Sequence, residues 1–356
     1  MSVSWSRYDD DELAAVAGLT DLHLETHPEQ AKAIEDAADV VRALAVLIPA
    51  THDNLFSGNL VPIFEAEREL QTSTTLARLG FYKQALSGLR SVLELGLLSV
   101  YWDANDLSHI DIQEWLAGRE LTPQTYNIEK RLQEIPAVRV YLVEEPDLFT
   151  DLKDLLFSLS GYVHTRGVAN STWRLAPMSN RPSFDASAYE LWAAQRTRVV
   201  AQVLTFHLLK YPIGLQRTPL SQKFGLNSPI GGFVEPFIRE RLVAYIPDAS
   251  AAKLQRLSDG DSLVQELVAW VHAQPDLEEA EWKEQLRAQD RMEIQSGGYE
   301  QWKRNRDFVK IPNLSDTEQA ARAAYAEALR EWSEDEGILN LEQLMETRAR
   351  THSSDS

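Results

Sequence analysis

The stretch LARLGFYKQALSGLRSVLELGLLSVYW, from Leu76 to Trp102, carries the strongest structural signal in the chain. Its leucines recur at spacings of three, four and seven, which places apolar side chains on one face of an α-helix. The pattern predicts one long helix over residues 72–102. Gly80, Gly88 and Gly96 recur every eight residues within it, although glycine costs about 1 kcal/mol relative to alanine in a helix. This spacing favours a face that another helix approaches closely.

Helical patterns continue through the rest of the chain, and strand patterns are almost missing, so we expect an all-α protein. Near the C-terminus, Ser315 and Glu318 form a capping-box pattern that predicts the start of a helix at Asp316. The expected organisation is an N-terminal helical segment over 1–57, a helical bundle over 58–211, a linker rich in proline and glycine over 212–236, an acidic C-terminal helical domain over 237–350 and a disordered tail over 351–356.

The composition is that of a folded protein with a strong acidic bias. Hydrophobic residues make up 44% and charged residues 25% of the 356 residues, which is enough apolar material for buried cores. The chain has no cysteine, so disulfides, thiolate metal sites and cysteine nucleophiles are excluded. The formal net charge of −19 argues against nonspecific binding of nucleic acid over the whole surface.

The middle of the chain is basic although the whole is acidic. Residues 161–225 contain eight Lys and Arg against two Asp and Glu, a local charge of +6 that leaves −25 for the remainder. Four arginines of this segment are candidate ligand-binding residues for RNA or a nucleotide: Arg174, Arg181, Arg196 and Arg198. An acidic protein partner and the chain's own acidic segments are the alternative occupants of such a segment.

Targeting signals and cofactor motifs are missing from the sequence. Residues 1–12, MSVSWSRYDDDE, lack the apolar core of a signal peptide, and the most apolar later run, residues 199–215, is too short and too polar to span a bilayer. We therefore expect a cytoplasmic protein without a membrane segment or a cofactor. His23 and His27 have metal-ligand spacing, but no Glu follows the first His and Pro28 follows the second, so no metal site is predicted.

One set of polar residues suggests a site. Arg90 and Glu94 lie four residues apart in the long helix, and Tyr162, His164 and Arg166 lie in and after a later helix. If the two helices pack together, Glu94 can orient or protonate the His164 imidazole. These five residues are the candidate catalytic set. The alternative is a surface ion pair together with a histidine stabilised by the dipole at a helix end.

A long helix carries the motif Leu89-Arg90-Ser-Val-Leu-Glu94, and a later helix ends in Leu-Ser-Gly-Tyr-Val-His164. This arrangement resembles uncharacterised bacterial helical families related to the HEPN superfamily. The resemblance covers about residues 60–211, and it implies a compact, often dimeric bundle found in RNA-cutting toxins and in phage-defence or stress proteins. His164 matches the family's histidine. The ribonuclease members also carry an Arg and a polar residue about one to two turns before that histidine, where this chain has Phe157, Ser158 and Leu159.

Two functions follow as expectations. The first is a noncatalytic helical interaction or regulatory module in a bacterial stress or phage-defence system, forming a homo-oligomer through the helix at 72–102 and binding a protein partner. The second is a metal-independent ribonuclease of the HEPN kind, in which His164 acts with Arg166 or Arg90. A His164 buried against Glu94 would favour the module, and an open groove containing His164 and Arg166 would favour the ribonuclease.

Overall fold

Helices form the regular structure throughout the computed structural model, which describes residues 8–49, 51, 54, 56–104, 110–119, 122–175, 182–225, 232–234, 236–308 and 315–354. These residues contain no β-strand, and the predicted all-α class is confirmed. The α-helices are α1 (Asp10–Thr26), α2 (Pro28–Leu47), α3 (Val61–Arg78), α4 (Tyr82–Trp102), α5 (Ile110–Leu116), α6 (Thr125–Leu132), α7 (Pro136–Glu144), α8 (Leu148–Val163), α9 (Thr172–Leu175), α10 (Ala186–Lys210), α11 (Leu220–Phe224), α12 (Pro236–Ala244), α13 (Asp248–Gly260), α14 (Ser262–Ala273), α15 (Glu279–Gly297), α16 (Tyr299–Phe308), α17 (Asp316–Asp335) and α18 (Leu341–Ser354). Short 3₁₀ helices occupy Val168–Asn170 and Pro212–Leu215.

The single helix predicted over residues 72–102 is wrong, because the structure has two helices there. α3 ends at Arg78 and α4 begins at Tyr82. Gly80 lies between them with φ of +79°, and a Cβ atom at this position would come within 2.7 Å of the Ser183 carbonyl oxygen. The Phe81 N–H donates to the Leu76 carbonyl at 2.8 Å, which is the bonding of a helix that ends at a left-handed glycine. The chain therefore reverses, and α3 packs against α4.

Of the other two glycines of that stretch, Gly96 marks close helix packing and Gly88 has room for a side-chain carbon. A Cβ atom at Gly96 would lie 2.6 Å from Val203 on α10, and one at Gly88 would lie 3.5 Å from Ser73 on α3. α10 therefore approaches α4 more closely than a side chain at Gly96 would allow. The close approach predicted from the glycine spacing is therefore found at Gly96, the contact at Gly88 is ordinary, and the helix breaks at Gly80.

α4 lies at the centre of the larger hydrophobic core. It packs against α3, α6, α8 and α10, and α2 packs against α3 and α10. Within α4, all of whose residues are described, Gln84 alone is exposed. A homo-oligomer formed through this helix stays a prediction, and the surface that α4 leaves for a second chain is narrow.

Buried hydrogen bonds fix how α3, α4 and α10 are placed. The Ser73 hydroxyl on α3 donates to the Ala85 carbonyl on α4 at 2.7 Å and accepts from Trp192 Nε1 on α10 at 2.9 Å. Ser99 on α4 lies 3.1 Å from Nε2 of the fully buried His207 on α10. Because an unpaired polar group in a core is costly, these bonds set the register of the three helices.

The chain divides into two compact units, Met1–Arg217 with Ile230–Glu266, and Thr218–Pro229 with Leu267–Ser356. These bounds differ from the predicted divisions at residues 57, 211 and 236. α1 and α2 belong to the first unit because they pack on α3, and α12 and α13 belong to it because they pack on α2, α7 and the 3₁₀ helix Pro212–Leu215. α18 ends at Ser354, within the segment predicted to be disordered.

The second unit has its own core and a buried carboxylate. Ile294, Tyr299, Trp302 and Leu329 are buried together. Asp290 is 1% exposed and accepts hydrogen bonds from Trp302 Nε1 at 2.9 Å, from the Tyr325 hydroxyl at 2.7 Å and from Arg306. The carboxylate therefore ties α15, α16 and α17 together.

Over the described part of the chain, every helix is too short or too polar to cross a membrane.

Candidate functional site

Packing of α4 against α8 brings three of the polar side chains together. Arg90 donates from Nε and Nη2 to Glu94 Oε1 at 3.1 and 2.7 Å, as the four-residue spacing predicts. Its Nη1 also donates to the Ser160 hydroxyl on α8. The Arg90 and Glu94 side chains are 24% and 30% exposed. The guanidinium is therefore engaged by groups of its own chain.

His164 lies at the C-terminal end of α8, one turn after Ser160. Its backbone N–H donates to the Ser160 carbonyl at 3.1 Å, and the residue is exposed. The imidazole makes no hydrogen bond with Arg90 or Glu94, both of which lie in the described part of the chain. The structure thus places His164 and the Arg90–Glu94 pair on adjoining helices but does not join the imidazole to the carboxylate.

A strained turn follows His164. Thr165 has a φ of +49°, which is unfavourable for a β-branched residue. The Arg166 N–H donates to the Gly161 carbonyl at 2.9 Å, and the Arg166 guanidinium lies 4.7 Å from the centre of the Phe157 ring. Backbone strain of this kind persists where surrounding structure imposes it. Here the turn directs Arg166 back over α8.

Exposed apolar side chains surround this turn. Phe157 is 69% exposed, Val163 44% and Val168 64%, and His164 and Arg166 are also exposed. We refer to these five residues as the 157–168 surface. Residues 155–184 contain no Asp or Glu. The surface therefore combines apolar groups with positive charge, and the preceding acidic residue in sequence is Asp154, one turn before Phe157 on α8.

Tyr162 and Arg174 line a separate cavity of about 410 Å³ with Asp185 and Ser187. Burial raises the pKa of Tyr162, and a hydrogen bond with Asn170 partly opposes this effect. Asp185 caps the start of α10 by accepting from the Ala188 N–H at 2.9 Å. His164 and Arg166 are not among the residues that line this cavity. His164 is exposed and therefore not buried against Glu94, and this cavity is distinct from the turn that carries His164 and Arg166.

The remaining candidate arginines have different environments. Arg196 is 2% exposed, with its guanidinium 5.7 Å from the centre of the Trp192 ring, and burial lowers its pKa to about 10. Arg198 is exposed and donates to Gln195 Oε1 at 3.4 Å. Arg181 lies outside the described residues. Among the described arginines, Arg174 and Arg198 line different cavities and Arg196 is buried, so these three do not form one patch.

The arrangement limits the available chemistry. A general acid or base is effective when its proton position is set by a partner, and the His164 imidazole has no such partner among the described side chains. His, Asp and Glu side chains form no group of three that could hold a metal ion in the described ranges. The described residues therefore form no assembled acid–base pair at His164.

Sequence reasoning missed two residues of this region. The Ser160 hydroxyl accepts from Arg90 on another helix, a contact that spacing within α8 does not predict. Phe157 stood out only as a departure from the ribonuclease motif, but its exposed ring stacks with Arg166. A phenylalanine at a solvent-facing position of α8 was the available signal.

Comparisons of the chain with protein-family models, with characterised proteins and with solved structures gave no match.

Proposed function

We propose that the protein is a noncatalytic interaction module that binds an acidic protein segment at the 157–168 surface. The observation that supports this most is the exposed stack of Arg166 on Phe157. Aromatic residues and arginine are enriched at protein interfaces, where they contribute most of the binding energy. Val163 and Val168 add exposed apolar area beside this pair.

Charge supports an acidic partner. No Asp or Glu occurs between Asp154 and Asp185, so the segment that contains Arg166 carries net positive charge. A complementary acidic segment would be steered to this surface, and its apolar residues would cover Phe157. The HEPN-like assignment of residues 58–211 is part of the proposal, and it would place the module in a bacterial stress or phage-defence system.

The test is affinity capture with a matched pair of variants. Phe157→Ser combined with Arg166→Glu alters the surface, and Phe64→Ser combined with Arg68→Glu makes the same changes on α3, where Phe64 is 47% exposed and Arg68 is also exposed. We expect the wild type and the α3 variant to retain the same acidic protein in quantitative mass spectrometry. The 157–168 variant should retain at least about tenfold less. Equal capture by all three chains would contradict the proposal.

The ribonuclease is retained as a second candidate because His164 and Arg166 are both exposed, so a phosphodiester can reach both. In that function Arg166, or Arg90 of a second copy, would contact phosphate while His164 transfers a proton. RNA cleavage in the presence of EDTA tests the two candidates. The interaction module predicts no cleavage above background, whereas cleavage that disappears in His164→Ala would establish the ribonuclease.

A further inference from the structure

A second cavity, with a volume of about 360 Å³, lies where α7, α8, α10 and the start of α13 meet. This volume is within the range of small-molecule sites. The cavity shares no residue with the 157–168 surface, and it is independent of the function proposed there.

Two opposite charges line this cavity without pairing. Asp151 projects from α8 and Arg198 from α10, and they form no ion pair with each other in the described structure. Asp151 has no side-chain partner there, and Arg198 has one long hydrogen bond, at 3.4 Å to Gln195. A carboxylate and a guanidinium are therefore both available to a molecule in the cavity.

A buried amide strengthens the inference. Gln202 lies one turn after Arg198 on α10 and lines the same cavity. Its Oε1 atom is buried and accepts no hydrogen bond from the protein. Buried polar atoms in native proteins almost always have a partner, so this oxygen can accept from a donor on a molecule in the cavity.

The other walls set the size and polarity of an occupant. Leu148 and Ile246 are buried, at 7% and 4% exposure, and line the cavity. Glu145 also lines it, but this carboxylate is paired with Lys253.

Of the hydroxyl groups in the lining, Tyr141 bonds with Ser250, and Thr205 donates to the Ala201 carbonyl at 2.8 Å. The charged groups without an ion-pair partner are Asp151, which accepts, and Arg198, which donates, and Gln202 Oε1 is a further acceptor.

We propose that this cavity binds a small zwitterion, namely an α-amino acid with an aliphatic side chain. The ammonium group donates to the Asp151 carboxylate and to Gln202 Oε1. The carboxylate accepts from the Arg198 guanidinium, whose planar shape suits a carboxylate. The aliphatic side chain contacts Leu148 and Ile246.

Isothermal titration calorimetry on the full chain tests this with L-leucine, L-isoleucine, L-valine and L-methionine as probes. The amine 3-methylbutylamine lacks the carboxylate of leucine, and 4-methylpentanoate lacks the ammonium group. We expect at least one of the four amino acids to bind at about 10 mM or below. For L-leucine, the amine and the acid should each bind at least about tenfold more weakly than the amino acid.

Variants assign the charges. Asp151→Asn and Arg198→Gln should each weaken binding of the amino acid at least about tenfold. Asp154→Asn, on α8 but outside the cavity lining, and Arg68→Gln, on α3, are matched controls that should bind as the wild type does. Circular dichroism checks that all variants keep their helices.

Two results would overturn the assignment. One is the absence of binding of all four amino acids to the folded wild type at about 10 mM. The other is binding that is equally strong for the amine or the acid alone, or unchanged in either cavity variant, because a site that recognises both charges must lose affinity when either is removed.

Discussion

Acidification should destabilise the first unit through His207. This residue is fully buried on α10, and its Nδ1 lies 2.9 Å from the Val203 carbonyl oxygen. A carbonyl can only accept, so Nδ1 carries the proton and Nε2 accepts from the Ser99 hydroxyl at 3.1 Å. Burial lowers the pKa of His207 from 6.5 to about 4. The imidazole is therefore neutral in the folded protein at neutral pH.

The magnitude follows from linkage. Between the unfolded pKa of 6.5 and the folded pKa of about 4, the unfolded chain binds a proton that the folded chain does not. Stability is therefore fully present above the unfolded pKa and falls as the pH drops toward the folded pKa. At about 1.4 kcal/mol per pH unit, the loss is about 3 kcal/mol.

The assay compares the wild type with His207→Gln in urea at several pH values between neutral and about 4.5. Carboxylates titrate alike in both chains, so the difference between their unfolding free energies isolates His207. We expect the advantage of the wild type to shrink by about 2 to 3 kcal/mol over this range. NMR of the imidazole should show no protonation above about pH 5. A difference that does not change with pH, or an imidazole that titrates near its ordinary pKa, would refute the reasoning.

Further substitutions test packing, the second unit and the exposed histidine. Gly96→Ala should destabilise by about 1 to 3 kcal/mol in urea denaturation, because its Cβ meets Val203 at 2.6 Å. Gly88→Ala is the control, and it should leave stability unchanged or raise it by up to about 1 kcal/mol, because its nearest contact is 3.5 Å. Equal losses of stability at Gly88 and Gly96 would contradict the packing described for α4. Asp290→Ala leaves three donors without their acceptor. It should lower the free energy of unfolding of the second unit by about 3 kcal/mol, seen as a lower melting temperature. An unchanged melting temperature would show that the carboxylate does not hold the unit together. His164→Ala should leave the free energy of unfolding within about 0.5 kcal/mol, because the side chain is exposed; a larger loss would mean that the imidazole has a structural partner.

Short-range rules predicted much of this protein correctly. Helical periodicity predicted the all-α class, because a helix is stabilised by bonds and side-chain contacts within four residues. The capping box of Ser315 and Glu318 forms as its spacing predicts, and so does the ion pair of Arg90 with Glu94. In each case the partners lie within one turn of the same helix.

Contacts between distant segments decided the rest. The break at Gly80 depends on the approach of Ser183, about a hundred residues later, and no local pattern distinguishes it from Gly88 or Gly96. The Ser160 hydroxyl meets Arg90 because α4 and α8 pack together, whereas His164, one turn further along, faces solvent. Periodicity states which residues share a helix face but not which helix covers it. The rotation and register of the packed helices therefore determined that Arg90 binds Ser160 and that Asp151, Arg198 and Gln202 share one cavity.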